Sequence, residues 1–161
     1  MDFHTSVSYP ADLVAVQRLF RNEDFFKARA AGSPASVKSV RVEALVSEIR
    51  VTTTAHVDTA VIDLPPVAQR FVPSSGIEVT ITETWNTTDN TGVIKVHADS
   101  LPISMSATCA FIEEGETVRR DVNGKLKVNV PIIGRKLEQK AVAEVSKIAE
   151  HEQEVASHYL A

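Results

Sequence analysis

Three ionisable side chains fall where the sequence pattern calls for apolar ones. In "IEVTITETW", residues 77–85, Ile77, Val79, Ile81 and Trp85 alternate with Glu78, Thr80, Thr82 and Thr84, as in a half-buried strand. Glu83 lies on the apolar phase of that alternation. Arg120 does the same between Val118 and Val122, and Glu152 falls on a helical stripe between Ile148 and Val155. An isolated buried carboxylate is costly and either takes up a proton or finds a partner. Glu83, Arg120 and Glu152 are therefore expected to meet as a polar group in an otherwise apolar interior. Such a group can orient a ligand's hydroxyl, carbonyl or carboxylate. It could also serve acid–base chemistry, with Glu83 or Glu152 moving a proton and Arg120 polarising a carbonyl. The alternative is a purely structural ion pair, or side chains at a wet cavity mouth.

Other chemistries find less support. His4, His56 and His97 are scattered on polar strand phases. "HEQEVASH" carries Val155 where a zinc-protease helix needs its second histidine. His151 and His158 share a helix face, but two ligands make a weak site, so no metal is expected. Neither a P-loop nor G-x-G-x-x-G occurs, and no cofactor is expected. The G-x-S-x-G elbow of a serine hydrolase is missing too. Cys109 has an inward strand phase and apolar neighbours, the setting of an inert thiol. The consecutive acids of "EEGE" belong to a turn and point into water.

The chain has 161 residues, 43% hydrophobic, which suits one compact domain over 1–161. Its net charge is -4 and its isoelectric point about 5.7. The basic pairs Arg119-Arg120 and Arg135-Lys136 are short and interrupted, so no nucleic-acid partner is expected. No apolar run approaches the ~20 residues of a membrane span, so no integral membrane association is expected either. "MDFHTSVSYP" has no basic segment followed by an apolar stretch, so a signal peptide is not predicted and a cytoplasmic location is. A lone cysteine excludes an internal disulfide and an all-cysteine metal site.

The elements that must position these groups can be read along the chain. Residues 2–9 form a strand with Phe3, Thr5, Val7 and Tyr9 on one face, stopped by Pro10. Two short helices follow. Leu13, Val16, Leu19 and Phe20 mark the first; the second starts from an Asn22 cap, buries Phe25 and Phe26 and stops at Gly32. Strands dominate from Val37 to Leu101. Val40, Val42, Ala44 and Val46 alternate, then Ile49, Val51, Thr53, Ala55 and Val57. "DLPPVAQRFVP", residues 63–73, interrupts them with a short helix capped by Asp63, with Leu64, Val67, Ala68, Phe71 and Val72 on one side. Further strands span 77–85, about 93–100 and 103–111. Val118, Val122, Leu126, Val128 and Val130 keep one phase through Asn123-Gly124, so one long strand is preferred to a hairpin. Gly124 then faces inward, where it permits a bend or a close approach. After Gly134, Leu137, Ala141, Val145, Ile148, Val155 and Tyr159 mark a helix ~38 Å long. Pairing outward from the turns puts Glu83 and Arg120 at about the same height, three strand spacings or ~14 Å apart along the sheet.

That order of elements, with "SYPAD", "FFKARA", "LPPVAQRFV", "TETW" and "KVNVPIIGRKLEQKAVAE" running into "EHEQEVASHYLA", resembles the helix-grip fold of the START-like superfamily, the SRPBCC group. Polyketide cyclases, the major birch pollen allergen and lipid-transfer domains belong to it. More closely, the chain resembles an actinobacterial family of domains of unknown function within that superfamily. The resemblance spans almost the whole chain. It implies an α+β helix-grip fold, a curved antiparallel sheet of about seven strands wrapped around the long C-terminal helix, with a cavity between them. It implies no residue role. The expected function is a binding module for a small apolar or amphipathic ligand, lipid- or polyketide-like. Glu83, Arg120 and Glu152 would face the ligand, with Ile81, Trp85, Phe71, Met105, Phe111 and Ile148 as apolar lining. A cyclase or dehydratase, and an interaction protein with a filled core, are the other two readings.

Overall fold

A computed structural model describes residues 1–161 except 32, 34, 62 and 100. Period-two alternation builds seven strands: β1 (Asp2–Tyr9), β2 (Ala35–Ala44), β3 (Glu48–Val57), β4 (Ile77–Asn86), β5 (Thr91–Ala98), β6 (Ile103–Glu114) and β7 (Thr117–Val128). They form one sheet in the order β1-β7-β6-β5-β4-β3-β2, every pair antiparallel. Between β1 and β2 lie α1 (Leu13–Leu19) and α2 (Glu23–Ala30). Asp12 caps the first by accepting from the Ala15 N–H, and Asn22 caps the second by accepting from Asp24. The Gly32 stop lies outside the described residues. The four-residue α3 (Pro66–Gln69) precedes β4, and the 27-residue α4 (Gly134–Leu160) closes the chain. α4 packs mainly on β1 and β7, with α1 and α2 over its C-terminal half. This is the helix-grip arrangement, and β7 is the single long strand that the phase of its valines requires.

One face of the sheet carries the core. Tyr9, Phe20, Phe25, Phe26, Trp85 and Phe111 gather at the end nearest α1 and α2. Trp85 and Phe111 stack with their centroids 3.7 Å apart and planes 4° from parallel. The register runs Trp85–Gly92–Cys109, with the glycine between them on β5. A Cβ at Gly92 would stand 2.4 Å from the Thr84 carbonyl and 2.7 Å from Cys109 Sγ. Gly124 faces inward as expected, and the Phe3 ring occupies the space a Cβ would need, 2.5 Å away.

Four local expectations are corrected. Val46 is not part of β2; the strand ends at Ala44, and Leu45 and Val46 project into solvent from the hairpin. Asp63 does not cap α3: Pro65 holds that position without a side-chain bond, and the Asp63 carbonyl instead accepts from Lys140 Nζ at 3.1 Å. With α3 only one turn long, Ala68 alone is buried there, while Val67 and Phe71 are exposed. On α4 the buried line is Ala149, Glu152 and Ala156, rotated from the predicted stripe, so that Ile148 and Tyr159 are exposed. Small residues at 149 and 156 let the helix backbone sit close to its neighbours, which outweighs the larger but less contiguous apolar stripe.

Candidate functional site

Glu83 projects from the middle of β4, Arg120 from β7 and Glu152 from α4, all into the concave side of the sheet. They are 6%, 5% and 2% exposed. The register contradicts the expectation of equal height. Glu83 aligns through Ile94 and Ala107 with Gly124, four residues along β7 from Arg120, a stagger of about 13 Å. Twist of the sheet and two long side chains close that gap. Arg120 Nη1 stands 3.7 Å from Glu83 Oε1 and 3.5 Å from Glu152 Oε1.

Arg120 alone does not satisfy the two acids. A second guanidinium does most of that. Arg29, near the C-terminus of α2, donates from Nη1 to Glu83 Oε1 at 3.0 Å and from Nη2 to Oε2 at 2.5 Å. Its Nη1 also lies 3.5 Å from Glu152 Oε1. The Tyr9 hydroxyl, at the inward end of β1, donates to the same Glu152 oxygen at 2.9 Å. Two carboxylates and two guanidinium groups thus balance in charge, with a phenol as fifth member. Arg29 lies over the Phe26 ring at 4.8 Å and Arg120 over Phe20 at 5.5 Å, a further source of attraction for a desolvated cation.

Burial would push the Glu83 carboxyl up, but the charge and hydrogen bonds of Arg29, with the charge of Arg120, outweigh it and hold the group below its ordinary range. Burial lowers both guanidinium groups; the carboxylates more than reverse this, and both stay charged. Burial raises the Tyr9 phenol, and Glu152 adds to that. A carboxylate held ionised between guanidinium groups is suited to fixing an orientation rather than to donating a proton. Among the described residues, Arg120 Nε and Thr53 Oγ1 on this face find no hydrogen-bond partner. Beside Arg120 and Glu83, enclosed by Phe20, Ile49, Val51 and Trp85, is a cavity of about 10 Å³. That is room for no more than one water.

The profile of a family described as "protein of unknown function (DUF2505)" matches residues 4–160. The chain belongs to the DUF2505 family. No curated protein matches it. Its fold is shared by a protein from Thermus thermophilus, at 15% identity over 99% of this chain and 97% of the other, with a TM-score of 0.64. A START superfamily protein from Mycobacterium smegmatis matches at 11% identity over 98% and 97%, TM-score 0.59. A STAR-related lipid transfer protein fragment from Xanthomonas axonopodis matches at 12% identity over 99% and 85%, TM-score 0.55. These likenesses place the DUF2505 chain in the START-like fold.

Within this DUF2505 domain the remaining predicted site residues separate into two groups. Trp85 and Phe111 belong to the closed aromatic end. Ile81 and Met105 are half-buried further along the concave face, Ile148 is 57% exposed, and Phe71 is exposed on the segment after α3. Arg29 and Tyr9 are cluster members that the sequence reading does not single out. A signal for Arg29 exists: it follows Phe25 by four residues and Phe26 by three, so it shares their buried helix face. Among the described residues no group of three or more His, Cys, Asp or Glu side chains could hold a metal, and no helix is long and apolar enough to cross a membrane.

Proposed function

We propose that this DUF2505 domain is a binding module for a small apolar or amphipathic molecule, held between the sheet and the N-terminal half of α4. Val145 carries the reading. It lies seven residues before Glu152 and four before Ala149, on the buried line of α4, yet it is only half-buried, and Ile148 at the edge of that line is 57% exposed. The buried line of α4 therefore loosens toward the N-terminal half of the helix. Beyond that point Ile81, Met105, Val128, Ala141 and Val145 are only half-buried, and α4 has no fully buried residue between Gly134 and Ala149. An apolar molecule laid there would remove this surface from water, at roughly 25 cal/mol per Å². The ionic cluster forms the end wall and supplies orientation. The lipid-transfer neighbour shares the fold and is in keeping with this reading.

Native mass spectrometry of the gently ionised protein, purified without detergent, tests it. The expected result is a discrete adduct released by organic solvent, and weakened in an Ile148→Asp variant. A bare mass for the wild type, with no uptake of dodecanol, counts against it. The second reading, a filled-core interaction protein, is favoured by the closed aromatic end, where about 10 Å³ is free.

A further inference from the structure

The cluster leaves one member in a position to leave. Glu83 stands in β4, laddered on both sides by β3 and β5, and Arg120 stands in β7 between β1 and β6. Glu152 belongs to the closely packed part of α4 and is tied to Tyr9. Arg29 is the penultimate residue of an eight-residue helix, and its side chain, 13% exposed, is the most exposed of the four. Helices that short owe their stability to packing rather than to their own hydrogen bonds. A molecule entering from the Ile148 side meets Arg29 as the movable wall.

Withdrawing Arg29 changes the charge of the interior. Glu83 and Glu152 remain against Arg120 alone, a net charge of -1 in a site shielded from water. Arg120 cannot absorb the loss: it reaches the two carboxylates only at 3.5 and 3.7 Å. The vacated position lay within 3.0 Å of Glu83 Oε1 and 3.5 Å of Glu152 Oε1, so one donor group there faces both acids. An anionic head would meet two fixed carboxylates, while a cationic head restores neutrality and replaces the lost hydrogen bonds.

Building on the ligand-binding reading, we propose that the ligand is an amphipathic cation. Its ammonium or guanidinium head takes the place of the Arg29 side chain between Glu83 and Glu152, and its apolar tail runs past Ile148 toward Ile81 and Met105. Arg29 is then a tethered stand-in for the ligand's head, and binding swings the end of α2 aside.

The test compares three probes of equal chain length on the wild-type protein by calorimetric titration below their micelle concentrations: dodecylammonium, dodecanol and dodecanoate. Dodecylammonium should bind at least about tenfold tighter than dodecanoate, with dodecanol between. A Glu152→Gln variant should lose most of that preference, because it removes one of the two acids facing the head. In Arg29→Ala, propylguanidinium should raise the melting temperature where propionate at the same ionic strength does not. If Arg29→Ala does not fold, the wild-type probe series decides alone. Equal binding of the three probes, or tighter binding of dodecanoate, overturns the cationic-head assignment and leaves the binding-module reading standing. Binding of none of the three overturns both.

Discussion

Removing the charge of Glu83 is the sharpest perturbation of the cluster. In Glu83→Gln the shape is nearly kept, but Arg29 and Arg120 face Glu152 alone. Arg29 also exchanges two charge-assisted hydrogen bonds, at 3.0 and 2.5 Å, for at most one neutral acceptor. Breaking a buried pair by removing one partner leaves an uncompensated charge and costs about 3–5 kcal/mol. In a domain of this size 1 kcal/mol moves the melting temperature by about 2–4 °C, so a fall of roughly 6–20 °C is expected. Urea unfolding followed by tryptophan fluorescence reports on the same place, since Trp85 is the only tryptophan and lies two residues along β4. Glu78→Gln, on the outward phase of the same strand, should shift the midpoint far less. The double variant Arg29→Met/Glu83→Leu removes one charge of each sign and leaves Arg120 opposite Glu152, so it should recover most of the loss. A Glu83→Gln cost below about 1 kcal/mol, the range of exposed pairs, would refute the description of the cluster as sealed and mutually dependent.

Other outcomes follow from the same geometry. Tyr9→Phe removes the only short hydrogen bond to Glu152 among the described residues and should destabilise by about 1.5–3 kcal/mol in the same urea assay, without moving the Trp85 emission maximum. Gly92→Ala forces a Cβ to within 2.4 Å of the Thr84 carbonyl and 2.7 Å of Cys109 Sγ, and should cost about 1–3 kcal/mol and disturb the Trp85–Phe111 stack, visible in near-ultraviolet circular dichroism. Acid should weaken the wild type through Glu83. Its folded carboxyl titrates below the ordinary 4.5, so its contribution is complete above that value and is lost as pH falls through the lower folded one. Glu83→Gln should therefore show a shallower fall in stability across that window, measured by urea midpoints at stepped pH.

What is legible in the sequence and what is not has a physical pattern. Glu83, Arg120 and Glu152 stand out because each breaks a period, and a period is a local property: two residues on a strand, 3.6 on a helix. The long strand through Asn123-Gly124 and the long terminal helix are legible for the same reason. Distances between elements are not. The stagger between Glu83 and Arg120 depends on strand register, and their meeting depends on sheet twist; neither is written in a phase count. The face of α4 that turns inward departs from the apolar stripe because Ala149 and Ala156, poor in apolar area, decide the packing by being small. Arg29 is hard to see because a short helix shows too few residues for its stripe to stand out, although its spacing from Phe25 and Phe26 carries the signal. The closed aromatic end depends on which rings stack, and Gly92, where a Cβ would strike the Thr84 carbonyl and Cys109 Sγ, looks in the sequence like an ordinary residue at the start of a strand.

If the concave face beside Val145 and Ile148 takes an apolar ligand against the ionic cluster, a methyl-detected NMR titration with dodecanol will locate it, since the two ends of the face carry distinguishable reporters. Saturable shifts are expected at Ile81, Met105, Val145 and Ile148, with a smaller response at Ile49 and Val51 beside the cluster and none at Leu45, Val46 or Val93. Shifts confined to those outward-facing positions, or no saturable change at Ile81 and Ile148, would contradict it.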